Sequence, residues 1–245
     1  MPIADSMERG FINRNVAREL KRRKEARAAA RAAGRLVVGR DIPTPDEIRA
    51  ILGKLKGHWR PLLLTAIFTG LRASELRGLR WADVDLAKGE LHVRQRADRF
   101  HVIGRPKSEA GERTVPMPTV LANTLKEWKL ACPKGQLGLA FPNLRGNIES
   151  HSNIITRGFM PAQVEAGVAI DGKAKYTGLH ALRHFYASWC INRKADGGLE
   201  LPPKTMQGRL GHSSITMTMD TYGHLFPNND DGSELAAAAA HLFSV

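Results

Sequence analysis

The sequence predicts a predominantly helical α+β fold, with a small antiparallel three-stranded sheet at one edge of a helical body. Three observations support this class. Residues 44–69 carry apolar side chains at helical spacing, behind a segment typical of a helix start. Residues 90–95 alternate apolar and polar side chains, as a half-buried strand does. Helical patterns then return from residue 119 and continue to residue 222.

The first helix is expected to begin at Thr44, whose hydroxyl can cap it. Pro45 suits the first helical position, and Glu47 can complete a capping box with Thr44. A second, apolar helix ends at Gly70, which permits the turn that follows. A short helix is expected next, over residues 74–79.

Two further strands are expected over residues 100–104 and 113–116. Residues 107–112, with Gly111, would form the turn that joins these two strands. The second half of the chain predicts helices over residues 119–130, 152–165, 179–192, 204–210 and 214–222.

The charge of the chain narrows the class of partner. Its 245 residues include 37 Lys and Arg against 24 Asp and Glu, which gives a formal net charge of +13. This excess indicates a polyanion, of which nucleic acid is the commonest and an anionic membrane surface the runner-up. No apolar run approaches the roughly 20 residues of a membrane span, and the N-terminus lacks the layout of a signal peptide. Cys132 and Cys190 lie far apart, outside any metal-type spacing, which favours a reducing, cytoplasmic setting.

Residues 15–33 predict a helix that is rich in basic side chains and poor in large apolar ones. Such a helix stays exposed unless DNA or another domain covers it. We expect its basic side chains to bind DNA: Arg18, Lys21, Arg22, Arg23, Lys24 and Arg27.

Three short segments carry the clearest chemistry. Residues 69–76 read Thr-Gly-Leu-Arg-Ala-Ser-Glu-Leu, residues 180–184 read His-Ala-Leu-Arg-His, and residues 210–224 hold Leu-Gly-His-Ser-Ser and then Thr-Tyr-Gly-His. Together they supply arginines, histidines and a tyrosine, which an enzyme needs to move a phosphodiester onto a phenol without a metal. Arginine suits the phosphate because its guanidinium stays charged and its planar fork matches two phosphate oxygens.

The second of these segments allows another interpretation. His180, Arg183 and His184 share one helix face, so the two histidines could bind zinc. However, no carboxylate or cysteine nearby offers an obvious third ligand. We expect His184 to be a satisfied core histidine, outside the site.

In these segments the chain resembles the catalytic domain of a tyrosine recombinase of the phage-integrase family, over about residues 44–227. The resemblance implies an integrase-type catalytic core. It also implies site-specific DNA recombination, the integration or excision of a mobile element in a prokaryotic cytoplasm. Strand cleavage would pass through a covalent 3′-phosphotyrosine, with neither a cofactor nor a metal.

The resemblance further implies a role for each residue of the site. Tyr222 would be the nucleophile, and three residues would bind the phosphate: Arg72, Arg183 and His212. His180 and Lys107 would move protons, and Glu75 would be a supporting carboxylate. The family histidine at the position of His180 helps to take the proton of the tyrosine. Lys107, the general acid, lies in the predicted turn, from which it could reach the leaving oxygen when DNA is bound.

The resemblance also implies an order of parts. Residues 1–43 would be the end of a core-binding domain and a basic linker, residues 44–227 the catalytic domain, and residues 228–245 a tail helix. The family acts on double-stranded DNA as a tetramer on paired sites, often with this tail docked on a neighbouring protomer. The apolar residues of the tail could form that docking face or could fold back onto their own domain: Leu235, Leu242 and Phe243.

Two other functions stay open. The chain could be a truncated DNA-binding fragment or accessory protein without turnover, because the core-binding domain that helps to clamp DNA would be missing. A metal-dependent nuclease would have to use Asp83 and Asp85, but these lie on opposite sides of an extended segment and no acidic cluster accompanies them.

Overall fold

The computed structural model describes residues 34–227 and residues 236, 239, 240 and 243. By its internal contacts the chain divides into two units, Met1–Leu36 and Val37–Val245. The helices and strands described here lie in the second unit, which is mostly helical and contains small antiparallel sheets. The predicted α+β class is therefore confirmed.

Three helices open the second unit: α1 (Pro45–Leu52), α2 (Trp59–Thr69) and α3 (Ala73–Gly78). The predicted capping box of α1 is confirmed, because Thr44 Oγ1 accepts from the amide of Glu47 at 3.2 Å and the Glu47 carboxylate accepts from the amide of Thr44 at 2.8 Å. Gly70 ends α2 in the left-handed conformation, with φ 60°. This turn leads the chain directly into α3.

A three-stranded antiparallel sheet follows, in the order β1 (Val84–Asp85), β2 (Glu90–Val93) and β5 (Arg113–Pro116). A 3-10 turn, Trp81–Asp83, joins α3 to β1. Leu91 of β2 lies opposite Val115 of β5, and both side chains are fully buried. The sheet has the predicted number of strands, but one of them is not the expected strand.

The strand predicted over residues 100–104 lies outside that sheet, so this part of the prediction was wrong. It is shortened to β4 (Ile103–Gly104), which pairs with β3 (Arg96–Ala97) as a separate hairpin. The apolar side chains of the hairpin join a small cluster of Ala97, Ile103, Leu139 and Ile148. Burial in this cluster draws the hairpin away from β2, and β5 pairs with β2 in its place.

The segment between β4 and β5 is consequently a connection between two sheets, and not the hairpin turn that we predicted. It contains a 3-10 turn at Glu109–Gly111. A side chain on Gly111 would collide with Pro106, so glycine lets the connection fold back on itself. Lys107 lies in the exposed part of this connection.

The second half of the chain is mostly helical, as predicted. Helix α4 spans Thr119–Ala131. The helix predicted over residues 152–165 is divided into α5 (His151–Asn153), a π-helical segment (Ile154–Phe159) and α6 (Met160–Glu165). A hairpin of β6 (Ala169–Ile170) and β7 (Lys173–Ala174) follows. Helices α7, α8 and α9 then span His180–Ile191, Pro203–Leu210 and Ile215–Tyr222, with 3-10 turns at Lys194–Asp196 and Gly223–Leu225.

The core includes the contact between α2 and α7. Tyr186 of α7 is fully buried there. Ile42, which lies within the predicted linker, is also fully buried, and its carbonyl accepts from the hydroxyl of Tyr176 at 3.4 Å. Among the described residues, no helix combines the length and the apolar character needed to cross a membrane.

Candidate active site

A cavity of about 510 Å³ lies where the start of α3, the start of α7 and the connection between β4 and β5 meet. Four residues predicted for the site line its wall: Arg72, Glu75, Lys107 and His180. The other three predicted residues are buried: Arg183, His212 and Tyr222. Their hydrogen bonds connect them to the backbone beside the cavity or to other side chains of the site.

Arg72 immediately precedes α3 and is partly exposed in the cavity. Its Nη1 donates to Glu75 Oε1 at 2.8 Å, and its Nη2 donates to the carbonyl of Gly211 at 3.2 Å. Arg72 and Glu75 lie three positions apart, a spacing at which two side chains can meet on a helix. A guanidinium has five N–H groups, so these two contacts leave further donors for a ligand in the cavity.

Glu75 is a buried carboxylate, 3% exposed, that two arginines share. Arg113 Nη2 donates to Glu75 Oε2 at 2.9 Å, and Arg113 Nε donates to the carbonyl of Arg209 at 2.8 Å. Burial alone would raise the pKa of Glu75, but the hydrogen bonds and charge of Arg113, together with Arg72, hold it below its ordinary value. Glu75 is therefore ionised and fixes both guanidinium groups.

Arg113 is a residue of the site that the sequence interpretation missed. It pairs with the supporting carboxylate from 38 positions away, so local spacing could not reveal the contact. One signal was present, because Arg113 shares a strand face with the buried Val115. An arginine on the buried face of a strand requires a partner.

Arg183 lies on α7 and is 5% exposed. Its Nη1 donates to the carbonyl of Gly70 and its Nη2 donates to the carbonyl of Leu210, both at 2.6 Å. Arg183 thus ties together the turn before α3 and the end of α8. Burial, followed by the nearby charge of Arg72, lowers the pKa of Arg183 to about 10.

His212 follows Gly211, whose φ of 63° permits the turn that ends α8. The ring nitrogen Nε2 lies 3.3 Å from Arg183 Nη2, and Nδ1 lies 2.9 Å from Thr218 Oγ1. Because arginine can only donate, Nε2 accepts, and the proton is assigned to Nδ1. Burial, followed by the charges of Arg183 and Arg72, lowers the pKa of His212 to about 4, so the ring is neutral.

Tyr222 ends α9 and is 1% exposed. Its ring lies parallel to the ring of His212, with centroids 6.3 Å apart. Its hydroxyl lies 2.8 Å from His184 Nδ1. Burial raises the pKa of Tyr222 to about 12, although the charges of Arg183 and Arg72 oppose this rise. The phenol is protonated and is enclosed within its own chain.

His184 corrects a sequence prediction, because we placed it in the core and outside the site. It is half-buried and contacts the predicted nucleophile. Burial, followed by the charges of His180 and Arg183, lowers the pKa of His184 to about 4. The proton therefore stays on the oxygen of Tyr222, which donates to the neutral imidazole. The prediction failed because this partner lies 38 positions further along the chain.

His180 and Lys107 both line the cavity, His180 from the start of α7 and Lys107 from the connection between β4 and β5. His180 is exposed, and its ring centroid lies 6.3 Å from that of His184. Partial burial and then the charges of Arg183 and Arg72 lower the pKa of His180. The exposed Lys107 reaches the cavity from the connection between β4 and β5. Both groups are therefore accessible to a ligand.

The two aspartates considered for a nuclease have other contacts. Asp83 is buried and accepts from Arg80 Nε at 2.7 Å and from Arg94 Nη1 at 3.1 Å. Asp85 accepts from the amides of Ala87 and Lys88 in the turn before β2. Neither lines the cavity, and across residues 34–227 no group of three His, Cys, Asp or Glu side chains is placed to hold a metal.

Part of the predicted site lies outside the described residues. This holds for the basic side chains of the N-terminal segment: Arg18, Lys21, Arg22, Arg23, Lys24 and Arg27. It also holds for Leu235 and Leu242 of the tail. Phe243 is helical and 88% exposed.

The chain is similar in sequence to a known family and to several of its members. The sequence model of the Phage integrase family matches residues 43–229. The chain is 32% identical to the tyrosine recombinase XerC-like protein of Caldanaerobacter subterraneus subsp. tengcongensis, over 74% of this chain and 50% of that protein. It is 28% identical to the prophage integrase IntR of Escherichia coli, over 82% of this chain and 51% of that protein. The chain thus spans about half the length of these relatives.

Structural comparison agrees on the fold. The integrase of transposon Tn1549 in complex with circular intermediate DNA superposes with a TM-score of 0.62 and 22% identity, over 82% of this chain and 66% of that one. The XerA recombinase superposes with a TM-score of 0.59 and 20% identity, over 83% and 65%.

Proposed function

The chain belongs to the phage integrase family, as a tyrosine recombinase catalytic domain, and on that premise we propose that it cleaves and rejoins DNA strands at specific sites through Tyr222. The observation that carries this proposal is the convergence of cations on one cavity. Arg72 and Lys107 line it, and Arg183 lies beneath the adjoining backbone. A phosphodiester in the cavity would meet fixed donors where its charge grows during the reaction.

The phosphate is held by Arg72, Arg183 and His212 in this proposal. Both arginines retain N–H groups beyond those used by the protein. His212 at present accepts from Arg183, so it donates to a phosphate oxygen only after Arg183 turns to the ligand. The negative phosphate favours this change, because a nearby anion raises the pKa of an imidazole. Glu75 keeps Arg72 oriented throughout.

Strand cleavage then exchanges one phosphoester for another. The oxygen of Tyr222 bonds to phosphorus while the bond from phosphorus to the 5′ oxygen breaks, which leaves a 3′-phosphotyrosine and a 5′-hydroxyl. The phenolic proton passes toward His180, and Lys107 supplies a proton to the leaving oxygen. The ester energy stays in the covalent intermediate, so attack by another 5′-hydroxyl rejoins the strand without a nucleotide cofactor.

Tyr222 must move before it can attack. Its hydroxyl is held by His184 and does not line the cavity. Its pKa of about 12 also makes it a poor nucleophile in this arrangement. We therefore expect DNA to release the phenol from His184 and to bring it beside the arginines, whose charges favour the phenolate.

A covalent trapping experiment tests the proposed function. The chain is incubated in EDTA with a library of nicked duplexes of random sequence, and adducts are recovered after denaturation in SDS. We expect an adduct from the native chain and none from Tyr222→Phe, with Tyr186→Phe as the matched control. DNA binding without an adduct would indicate a binding fragment, and cleavage that requires a metal and leaves no adduct would indicate a nuclease.

We also propose that the biological task is integration or excision of a mobile element on double-stranded DNA. Residues 1–43 would supply the end of a core-binding domain and a linker, residues 44–227 the catalytic domain, and residues 228–245 the tail. The net charge of +13 supports the polyanionic partner.

Self-association on paired DNA sites belongs to the same proposal. A groove of about 360 Å³ between α1, α2 and α7 has apolar walls that include Ile48, Phe68 and Trp189. Phe243 of the tail is exposed, which fits a side chain that docks on a neighbouring protomer better than one folded onto its own domain. Analytical ultracentrifugation with and without paired DNA sites measures this association.

A further inference from the structure

The cavity includes an arginine that the proposed reaction does not use. Arg96, on β3, lines the cavity together with Arg72 and Lys107. Its Nε is buried, and within the described part of the chain no hydrogen-bond acceptor reaches it. Buried donors on charged groups are normally satisfied. Arg96 itself lines the cavity, so a ligand there reaches its guanidinium, and Nε gains an acceptor when the side chain turns toward that ligand.

The backbone holds Arg96 at a fixed place. Arg96 pairs with Gly104 in the hairpin of β3 and β4, and the neighbouring Gln95 donates to the carbonyl of Gly78 at 2.7 Å. A Cβ on Gly78 would lie 2.7 Å from Arg96 Cα, so the end of α3 and β3 are in backbone contact. The backbone of Arg96 is therefore anchored on the same helix that positions Arg72.

The carboxylates near Arg96 are occupied by other groups. Asp98 accepts from two backbone amides of its own turn, at 2.8 and 3.0 Å. Glu75 is shared by Arg72 and Arg113. Across the residues that the structure describes, neither carboxylate is ion-paired with Arg96. The pKa of Asp98 is lowered first by its backbone hydrogen bonds and also by the charge of Arg96, so the two groups interact without an ion pair. The guanidinium can therefore turn to an anion in the cavity.

We propose that Arg96 binds the DNA phosphate next to the scissile one, an inference that rests on the proposed function. The cavity has a volume of about 510 Å³, within the range of roughly 300–1,000 Å³ that holds drug-sized ligands. It is therefore larger than one phosphate group needs. Successive phosphates of one strand advance about 3.4 Å along the duplex axis. A second phosphate therefore lies close by whenever Arg72 holds the first.

The salt dependence of DNA binding tests this role. Each lost phosphate contact reduces the slope of log affinity against log salt concentration by about 0.9. The full chain is titrated with a labelled duplex between about 50 and about 200 mM salt. From the lower to the higher salt concentration, the ratio of native affinity to Arg96→Met affinity should fall about 3.5-fold. Arg99→Met removes the same charge from an exposed side chain outside the cavity and should keep the native slope. An equal change in both variants would overturn the proposal.

Arg72→Met separates this inference from the proposed function. A reduced slope for Arg72→Met with a native slope for Arg96→Met would mean that the cavity binds phosphate without Arg96. Native slopes for both would mean that the cavity is not the phosphate site, and the proposed function would fail with the inference.

Stability distinguishes binding from a structural role. Arg96→Met removes an unsatisfied donor, so its thermal midpoint should equal or exceed that of the native chain. A lower midpoint with a native slope would assign Arg96 to the fold and refute the proposal. If Arg96→Met does not fold, Arg96→Lys is titrated instead. It should keep the native slope and bind more weakly at every salt concentration, because it retains the charge and loses the planar fork. Native affinity in that variant would also refute the proposal.

Discussion

The carboxylate of Glu75 orients two arginines at once. Arg72 reaches it from the start of the same helix, and Arg113 reaches it from β5. A buried ion pair adds little net stability, but removal of one partner leaves an uncompensated charge and costs about 3–5 kcal/mol. Together with the carbonyl of Gly211, Glu75 orients Arg72 in the cavity.

Lys107→Ala should slow covalent cleavage of ordinary DNA by roughly 100-fold or more, which is the contribution typical of a general acid. The same variant should cleave DNA with sulfur in place of the leaving 5′ oxygen at close to the native rate, because a thiolate leaves without a proton. Lys134→Ala, an exposed lysine outside the cavity, is the control for both substrates. If the sulfur substrate reacts no faster than ordinary DNA with Lys107→Ala, the lysine is not the acid.

His184→Phe should destabilise the fold by about 1–3 kcal/mol, because it leaves the buried hydroxyl of Tyr222 without an acceptor. In a Tyr222→Phe background the same change should cost about 1 kcal/mol less, since no hydroxyl remains to be satisfied. Urea unfolding of the native chain, both single variants and the double variant measures this coupling. Additive effects would show that the two side chains do not interact in solution.

These contacts show which part of the site the sequence could predict. Arg72 and Glu75 are three positions apart, so their ion pair is one that local spacing can predict. Glu75 with Arg113, and His184 with Tyr222, are each 38 positions apart. The packing of β5 and α9 against the other elements brings those partners together, and short-range sequence patterns do not predict that packing.

The sheet illustrates the same limit among strands and helices. Alternation located β2 and β5, but it missed β1 and did not determine which strands pair. The hairpin of β3 and β4 pairs with itself because Ala97 and Ile103 find their own apolar cluster. That rearrangement places Arg96 beside α3 and in the cavity. Capping residues, by contrast, act within one turn of a helix, so the box of Thr44 and Glu47 was predictable.

The contact between α3 and β3 depends on a glycine. Gly78→Ala would place Cβ 2.7 Å from the backbone of Arg96, so we expect a loss of about 1–3 kcal/mol in unfolding free energy. Gly208→Ala is the matched control, because Gly208 lies within α8 and its Cβ would meet nothing within 4 Å. It should stabilise the chain by up to about 1 kcal/mol. Urea unfolding measures both, and equal effects would contradict the close approach of α3 and β3.

Positive charge pervades the protein and shapes the chemistry of its histidines. The excess of basic residues gives +13 overall, and the arginines Arg72 and Arg183 lie near both His180 and His212. Their charges add to burial in keeping these imidazoles neutral. If the cavity receives a phosphate as proposed, these imidazoles should resist protonation until that anion enters.

Acid should consequently destabilise the chain before its carboxylates titrate. His184 and His212 have pKa values of about 4 in the fold against an ordinary 6.5, so below pH 6.5 the unfolded state binds protons that the folded state does not. Their contribution is complete above that pH and is lost toward pH 4, by at most about 1.4 kcal/mol per pH unit for each histidine. Glu75 and Glu47 have lowered pKa values, so the stability that they contribute is lost only below their ordinary pKa of 4.5.

The urea midpoint at pH 5 should thus lie well below that at pH 7, and His212→Asn should reduce the difference. His101→Asn, at an exposed position with φ 65° that asparagine tolerates, is the control and should leave the difference unchanged. A midpoint that stays constant from pH 7 to pH 5 would mean that these imidazoles are protonated in the fold, and the neutral hydrogen bonds assigned to His184 and His212 would have to be reversed.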